Sequence, residues 1–188
     1  MDLTTIGDVL MAQHLSIESM LRIVDSAATR LERGLAAPPT LFVEAANFFD
    51  VYVQACHQAR EEERLFQALE LHGVAVEGGP IGAMRQEHER ARAYIQTIHG
   101  LGLEYAAGTL QDPRPLIDAA HGYAALLRRH ELEEDRVLFR LAEELLSPAE
   151  QRELCEVCGQ IEREGAGVGY HERLGALLDE LEQATAQP

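Results

Sequence analysis

The sequence contains no tryptophan, and only 5% of its residues are aromatic. So few aromatic residues are more typical of aliphatic helix packing than of a β-sandwich. Apolar residues nowhere approach the roughly 18 to 20 uninterrupted positions that a membrane span needs. The N-terminus also lacks the basic and apolar regions of a secretory signal. We therefore expect a cytoplasmic protein that does not enter a membrane.

Basic residues and cysteines are scarce as well. The chain has 16 Lys and Arg against 32 Asp and Glu, which gives a formal net charge of -16. This charge argues against binding to nucleic acid or to anionic membranes, because both require clustered cations. Three cysteines do not make a disulfide framework, so a reducing compartment is expected. Cys155 and Cys158 form a CxxC within a helical pattern, which favours packing over redox or metal chemistry.

Glycine and proline divide the 188 residues, which are enough for one domain with a sizeable core. Turn signals lie at 34–40, 72–80, 108–115 and 146–150, and between them apolar residues recur with the helical period. The pattern predicts helices near 4–33, 41–71, 80–107 and 113–146. A fifth helical region, from 148 to about 184, is divided in two by Gly165, Gly167 and Gly169.

Short connections between long helices favour antiparallel neighbours. The predicted fold is therefore all-α: an antiparallel up-down-up-down four-helix bundle over 1–146, with a C-terminal helical extension over 147–188 packed on the bundle. Residues typical of helix starts support these boundaries. Thr40 precedes the second helix, Asp112 precedes the fourth, and Ser147 with Glu150 forms a capping box for the fifth region.

Ionisable residues interrupt the apolar faces of the four bundle helices. His14 lies on the apolar face of the first helix, and His88 lies on that of the third. The second and fourth helices each carry a histidine followed four residues later by a glutamate, a spacing that places both side chains on one helical face. The six candidate residues are His14, His57, Glu61, His88, His130 and Glu134.

These candidates repeat along the chain. His14 and His57 are 43 residues apart, and His88 and His130 are 42 apart. At roughly 1.5 Å per residue, His14 lies about 28 Å before the end of its helix, and His57 lies about 24 Å after the start of the next. By the same measure, His88 lies about 28 Å before the end of its helix, and His130 lies about 26 Å after the start of the next. Antiparallel packing then puts each pair at nearly one height. The residues that follow also correspond: Glu62 with Asp135, and Phe66 with Phe139.

Burying six such groups without a partner would cost several kcal/mol for each unpaired charge, or would change their protonation states. Taken singly, each histidine is more often a hydrogen-bonded core residue, and each glutamate often belongs to a solvated edge. The repeated spacing favours a metal centre instead. Histidine and carboxylate ligands suit iron, manganese or zinc. Two histidines for each ion and two bridging carboxylates describe a dinuclear site with open positions.

The segments that carry these residues, "QHLSIE", "HQAREEERLF", "QEHERAR" and "HELEEDRVLF", resemble the hemerythrin-like (HHE cation-binding) family, in the order seen in its bacterial members. The resemblance covers roughly residues 6–146. It implies a four-helix bundle that holds a non-haem di-iron centre, with two iron ions bridged by oxide or hydroxide and with zinc or manganese as substitutes. Carried over by position, the six candidates are the ligands, and Glu61 and Glu134 bridge the ions.

The chain departs from the oxygen-carrying members of that family. Those members have a second histidine four residues from the third-helix ligand, where this chain has Met84 and Arg92. Their HxxxxD motif is replaced by His130 and Glu134. A site with five histidines is therefore one ligand short. His171 supplies that ligand if the C-terminal helix folds back onto the bundle, and we include His171 among the metal candidates. Otherwise His171 is a surface or capping residue.

Glu18, four residues after His14, is either a further ligand or an acceptor that orients the imidazole, and the second role is favoured. The resemblance implies a di-iron binding protein that binds or responds to O2, NO or peroxide in iron or oxidative stress. One alternative is an enzyme that decomposes peroxide or acts as an oxidase at the same centre, with three tyrosines as candidates for proton or substrate routes: Tyr52, Tyr94 and Tyr123. Another is a non-catalytic helical interaction module with vestigial histidines.

Overall fold

The computed structural model describes the backbone of residues 5–166 and 170–186, and the side chains of residues 5–158 and 173–185. Within these residues every regular element is helical, which confirms the all-α prediction. Among the described helices, none combines the length and the apolar character needed to cross a bilayer.

Four long rods and two C-terminal helices make up the fold. The first rod is α1 (Ile6–Glu32), and the third is α4 (Pro80–Ala106). The second rod, 41–71, runs through α2 (Leu41–Phe48), π1 (Phe49–Gln58), π2 (Glu61–Leu65) and α3 (Phe66–Leu71). The fourth rod, 114–145, runs through α5 (Arg114–Glu133), π3 (Glu134–Leu138) and α6 (Phe139–Leu145). Two further helices follow: α7 (Pro148–Ala166) and α8 (Tyr170–Ala186). All predicted helix bounds lie within two residues of these.

The π-helical segments are the part of the backbone that the apolar pattern did not predict. His57 lies in π1, Glu61 begins π2 and Glu134 begins π3. A π-helical turn is wider than an α-helical turn, and such turns occur frequently at functional sites. The wider turns therefore coincide with three of the four predicted ligands of the second and fourth rods, and the fourth, His130, lies in α5 four residues before π3.

Capping interactions fix where several rods begin. Ser147 Oγ accepts from the Glu150 backbone N–H at 3.3 Å, and Glu150 accepts from the Ser147 backbone N–H at 2.8 Å, so the predicted capping box is confirmed. Thr5 and Asp8 form a second capping box at the start of α1 that the sequence reading missed. Thr40 precedes α2 as predicted, but its side chain makes no capping hydrogen bond.

The four rods form a closed ring in which α1 packs on α5, α5 on α4, α4 on α2, and α2 on α1. Neighbouring rods are antiparallel. Gly102, near the end of α4, lies so close to Phe42 near the start of α2 that an added Cβ would be 3.0 Å from the Phe42 Cβ. Gly7, at the start of α1, lies against Phe139 near the end of the fourth rod in the same way.

The C-terminal helices lie on one side of this ring. α7 packs on α1 and π1, and α8 packs on α1. The backbone N–H of Ile6 donates to Gln151 Oε1 at 3.0 Å, which joins the start of α1 to α7. The division at residue 146 into a bundle and an extension stays a prediction.

Two hydrophobic clusters fill the bundle, one above the other. On α1, Leu10 belongs to one cluster and Ile17 to the other. On α4, Met84 and Ala91 are divided in the same way. A polar layer separates the clusters at this level, and it contains the predicted ligands.

Candidate metal centre

The structure brings all six predicted bundle residues into this polar layer. Their donor atoms form two groups, and within each group all the donor atoms lie within 4.8 Å of one another. We call the first group pocket A: His14, His57 and Glu134. We call the second group pocket B: Glu61, His88, His130 and Glu134. Every one of these residues is at most 8% exposed.

Each pocket contains a pair of histidines whose Nε2 atoms face each other. The Nε2 atoms of His14 and His57 are 3.3 Å apart, and those of His88 and His130 are 3.1 Å apart. Two nitrogen ligands about 2.1 Å from one ion and at about a right angle or slightly more would be about 3.0 to 3.4 Å apart. The observed separations therefore fit two imidazoles that share a cation.

The two carboxylates lie between the histidine pairs. Glu61 Oε1 is 3.4 Å from His57 Nε2, and Glu61 Oε2 is 3.4 Å from His88 Nε2. Glu134 Oε2 is 3.4 Å from His14 Nε2, and Glu134 Oε1 is 2.8 Å from His130 Nε2. Each carboxylate thus turns one oxygen towards each pair, which is the arrangement that a bridging carboxylate requires.

The oxygens of Glu61 and Glu134 have no hydrogen-bond donor among the described residues. The close approach of Glu134 Oε1 to His130 Nε2, at 2.8 Å, is an ion-pair contact. Buried carboxylate oxygens without donors are costly, and cations nearby would remove that cost. The donor set of imidazoles and carboxylates therefore fits a pair of first-row transition-metal ions.

The other ring nitrogen of each histidine contacts an acceptor that the sequence reading did not assign. His57 Nδ1 donates to Gln13 Oε1 at 2.9 Å, and His130 Nδ1 donates to Glu87 Oε2 at 3.0 Å. Such acceptors fix the orientation of a ligating imidazole and increase its basicity. Each acceptor directly precedes the first histidine of its half of the chain, and this repeated position was the signal that could have identified it.

The Nδ1 atoms of the other two histidines, His88 and His14, contact Glu62 and Asp135, which occupy corresponding positions in the two halves of the sequence. His88 Nδ1 donates to Glu62 Oε1 at 2.6 Å, and His14 Nδ1 lies 3.4 Å from Asp135 Oδ1. Both acceptors follow directly after a predicted carboxylate ligand. The correspondence of Glu62 with Asp135 was read from the sequence, whereas their contact with the histidine of the opposite half required the folded bundle.

Negative charge dominates the electrostatics of the cluster. Burial alone would lower the pKa of His130, but Glu134 and Glu87 outweigh it and raise that pKa well above its ordinary value. The pKa of His14 is also raised: burial alone would lower it, but Glu134 outweighs burial. The pKa of His88 is raised in the same way, with Glu61 outweighing burial. The same negative field attracts metal cations.

Other sequence candidates lie elsewhere. Glu18 accepts from Arg128 Nε at 3.0 Å, so the acceptor beside His14 is Asp135, and the role favoured for Glu18 is wrong. Cys155 and Cys158 pack in or against the hydrophobic cluster at the α7 end of the bundle, and neither pocket of the described residues includes a cysteine. The side chain of His171 lies outside the described residues, and the prediction for it stays open.

One of the three tyrosine candidates of the enzyme alternative, Tyr123, lies in the hydrophobic core beside Phe49. Tyr123 is fully buried, and its hydroxyl has no hydrogen-bond partner among the described residues. Burial raises its pKa well above the ordinary value, so the hydroxyl stays protonated at neutral pH. The Tyr123 ring packs on Phe49 with ring centroids 4.5 Å apart, as a core residue would.

The fold and the cluster together define a helical-bundle protein with a buried histidine and carboxylate site able to hold metal ions. The family model for the hemerythrin HHE cation-binding domain matches residues 5–142. The chain belongs to that family, as the resemblance in its sequence predicted.

Three curated proteins that match the chain are mycobacterial and have no assigned function: the uncharacterized proteins Mb2018 of Mycobacterium bovis, and MT2051 and Rv1995 of Mycobacterium tuberculosis. Each is 25% identical over 154 residues, which cover 81% of this chain and 59% of the relative. The match thus spans less than two thirds of the relatives' length. No solved structure gives a significant match.

Proposed function

We propose that the chain binds two iron ions, one in pocket A and one in pocket B, and that this centre binds or responds to O2, NO or peroxide in iron or oxidative stress in the cytoplasm. The observation that supports the proposal most directly is the position of the two carboxylates. Glu61 and Glu134 each turn one oxygen towards each histidine pair.

The donor count leaves room for a ligand. Two imidazoles and two bridging carboxylates give each ion four protein donors, whereas an octahedral ion accepts six. Reduced iron at such a site would supply electrons and open coordination positions to a small ligand. Histidine-rich ligation favours reversible binding over the strong oxidation associated with carboxylate-rich sites, which is an inference from the family.

The surrounding residues would protect such a centre. The hydrophobic clusters above and below the polar layer restrict the access of water. The Nδ1 acceptors hold three of the imidazoles in the orientation that a ligating ring requires. A rigid set of donors reduces the entropy that metal binding has to offset.

Anaerobic loading of the metal-free chain with Fe(II) tests the proposal. Elemental analysis should find about two iron ions per chain, and oxidation should produce the near-ultraviolet absorption of a bridged ferric pair. Addition of O2 or NO to the reduced protein should change the optical spectrum. Protein loaded with zinc should show none of these bands.

Matched variants identify the site. The double variant His57→Ala, His130→Ala removes one imidazole from each pocket and should lose both ions, whereas His99→Ala, elsewhere on α4, should keep them. A wild-type chain that retains no metal would support the interaction-module alternative. Sustained consumption of peroxide by the iron-loaded protein would support the enzyme alternative.

A further inference from the structure

The two halves of the cluster differ at a contact made by the residue before the first histidine of each half. In pocket A, His57 Nδ1 donates to the side-chain amide oxygen of Gln13 at 2.9 Å. In pocket B, His130 Nδ1 donates to a carboxylate oxygen of Glu87 at 3.0 Å. The two contacts have nearly the same length, but only the second acceptor is an acid.

A carboxylate acceptor strengthens a ligating imidazole more than a neutral amide does, because it stabilises positive charge on the ring and increases the basicity of Nε2. Its negative charge also attracts the cation itself. Solvent screens this attraction only weakly, since the side chains of His130 and Glu87 are 2% and 13% exposed. Gln13 is buried to a similar degree, at 7% exposed, and offers only the dipole of its amide.

Arg129 also contacts Glu87 and offsets part of its charge. The Arg129 side chain is 49% exposed, however, so water screens its charge, while the carboxylate faces a buried histidine. The ion pair holds the Glu87 carboxylate in place beside His130. The acid therefore acts mainly on pocket B.

The second outer contact favours the same pocket. His88 Nδ1 is 2.6 Å from Glu62 Oε1, a short charge-assisted hydrogen bond. His14 Nδ1 is 3.4 Å from Asp135 Oδ1, which is beyond the usual hydrogen-bond length of about 3.2 Å. Both histidines of pocket B thus have a close carboxylate acceptor, and neither histidine of pocket A does.

We propose that pocket B binds its cation more tightly than pocket A, and that Gln13 is the positioning residue that sets the lower affinity of pocket A. The inference rests on the proposed function, since it requires that both pockets bind cations. Its consequence is ordered loading. At limiting metal the chain holds one ion, bound by His88 and His130, and the pair is completed only when more metal is present.

Titration of the metal-free chain with Co2+, followed by calorimetry and visible absorption, tests this order. The wild type should show two dissociation constants that differ at least about 10-fold. Gln13→Glu should tighten the weaker constant by about 10- to 100-fold, and Glu87→Gln should weaken the tighter one by a similar factor. Gln96→Glu, which adds the same charge at an exposed position of α4, should change neither constant.

Two ligand variants assign the constants to the pockets. His57→Ala should keep the tight constant, and His130→Ala should lose it. Two equal constants in the wild type, or an unchanged weaker constant in a Gln13→Glu protein with a normal thermal melt, would overturn the inference. If Gln13→Glu does not fold, the isosteric variant Glu87→Gln tests the inference, and an unchanged tighter constant in that variant would overturn it. Uptake of fewer than two Co2+ per wild-type chain would instead contradict the proposed pair of ions.

Discussion

The ring of Phe66 stacks on the imidazole of His88, with ring centroids 5.9 Å apart and an angle of 17° between the planes. Phe139 stacks on His14 in the other half, also at 5.9 Å and with an angle of 26°. Each phenylalanine follows the second histidine of its own half by nine residues and covers the first histidine of the other half. The two rings therefore close one side of the polar layer symmetrically.

Replacing one of these rings should loosen one pocket. Phe66→Leu removes the stacked ring from His88 and leaves a partly filled space, so we expect a loss of about 1 to 2 kcal/mol in the free energy of unfolding. We also expect a chelator to strip metal from pocket B faster than in the wild type. Phe139→Leu is the matched variant for pocket A, and identical stripping rates from both pockets in the two variants would contradict this assignment.

Glu134 should matter more for metal retention than Glu61, because its oxygens lie within 4.8 Å of all the other donor atoms in both groups, whereas those of Glu61 do so only in pocket B. Glu134→Gln keeps the shape of the side chain but removes its charge from both pockets. We expect this variant to retain less than one ion per chain, and Glu61→Gln to retain more than it does. Elemental analysis after desalting measures both. The prediction is wrong if the two variants retain the same amount of metal.

Most of the fold could be predicted from the sequence because turn residues and apolar periodicity are local signals. The six bundle candidates were predicted for the same reason, since the spacing of His57 and Glu61 needs only helical geometry. Their convergence also needed the antiparallel register. The π-helical turns could not be predicted in this way, because they shift the backbone hydrogen bonds without changing which residues are apolar.

The outer acceptors show the limit of such reasoning. Glu18 has the right helical phase relative to His14, but Arg128 on the neighbouring rod binds its carboxylate. Asp135, from a different rod, takes the position beside the imidazole instead. Which of two acids reaches a histidine depends on side-chain competition between rods, and this competition is not encoded in the spacing along one helix.

Metal uptake should release protons, and affinity should fall as the pH is lowered. The neighbouring carboxylates raise the pKa of His130 well above its ordinary value against the opposing effect of burial, and they also raise that of His14 and His88. These rings therefore hold their protons more tightly than free imidazoles do, and a cation must displace the protons that they hold. Calorimetry in two buffers of different ionisation enthalpy measures the released protons. Uptake of metal with no proton release at pH 7 would contradict the raised pKa values.

The stability of the metal-free chain should fall as the pH rises, and Glu131 should account for part of the change. Burial raises the pKa of Glu131 to about 7 from an ordinary value of 4.5, and Oε1 has no hydrogen-bond donor among the described residues. A raised folded-state pKa means that the contribution is fully present below the unfolded pKa and is lost between about pH 4.5 and 7. The shift corresponds to at most roughly 3 kcal/mol.

Chemical denaturation of the chelator-treated chain at pH 5 and at pH 8 measures this loss. The raised histidine pKa values act in the same direction, because their stabilising contribution is also lost as the pH rises through them. Glu131→Gln cannot ionise, so its free energy of unfolding should fall less between the two pH values than that of the wild type. Glu104→Gln, at an exposed position, should behave like the wild type. An equal fall in Glu131→Gln and wild type would show that the Glu131 carboxyl ionises in the folded chain without cost.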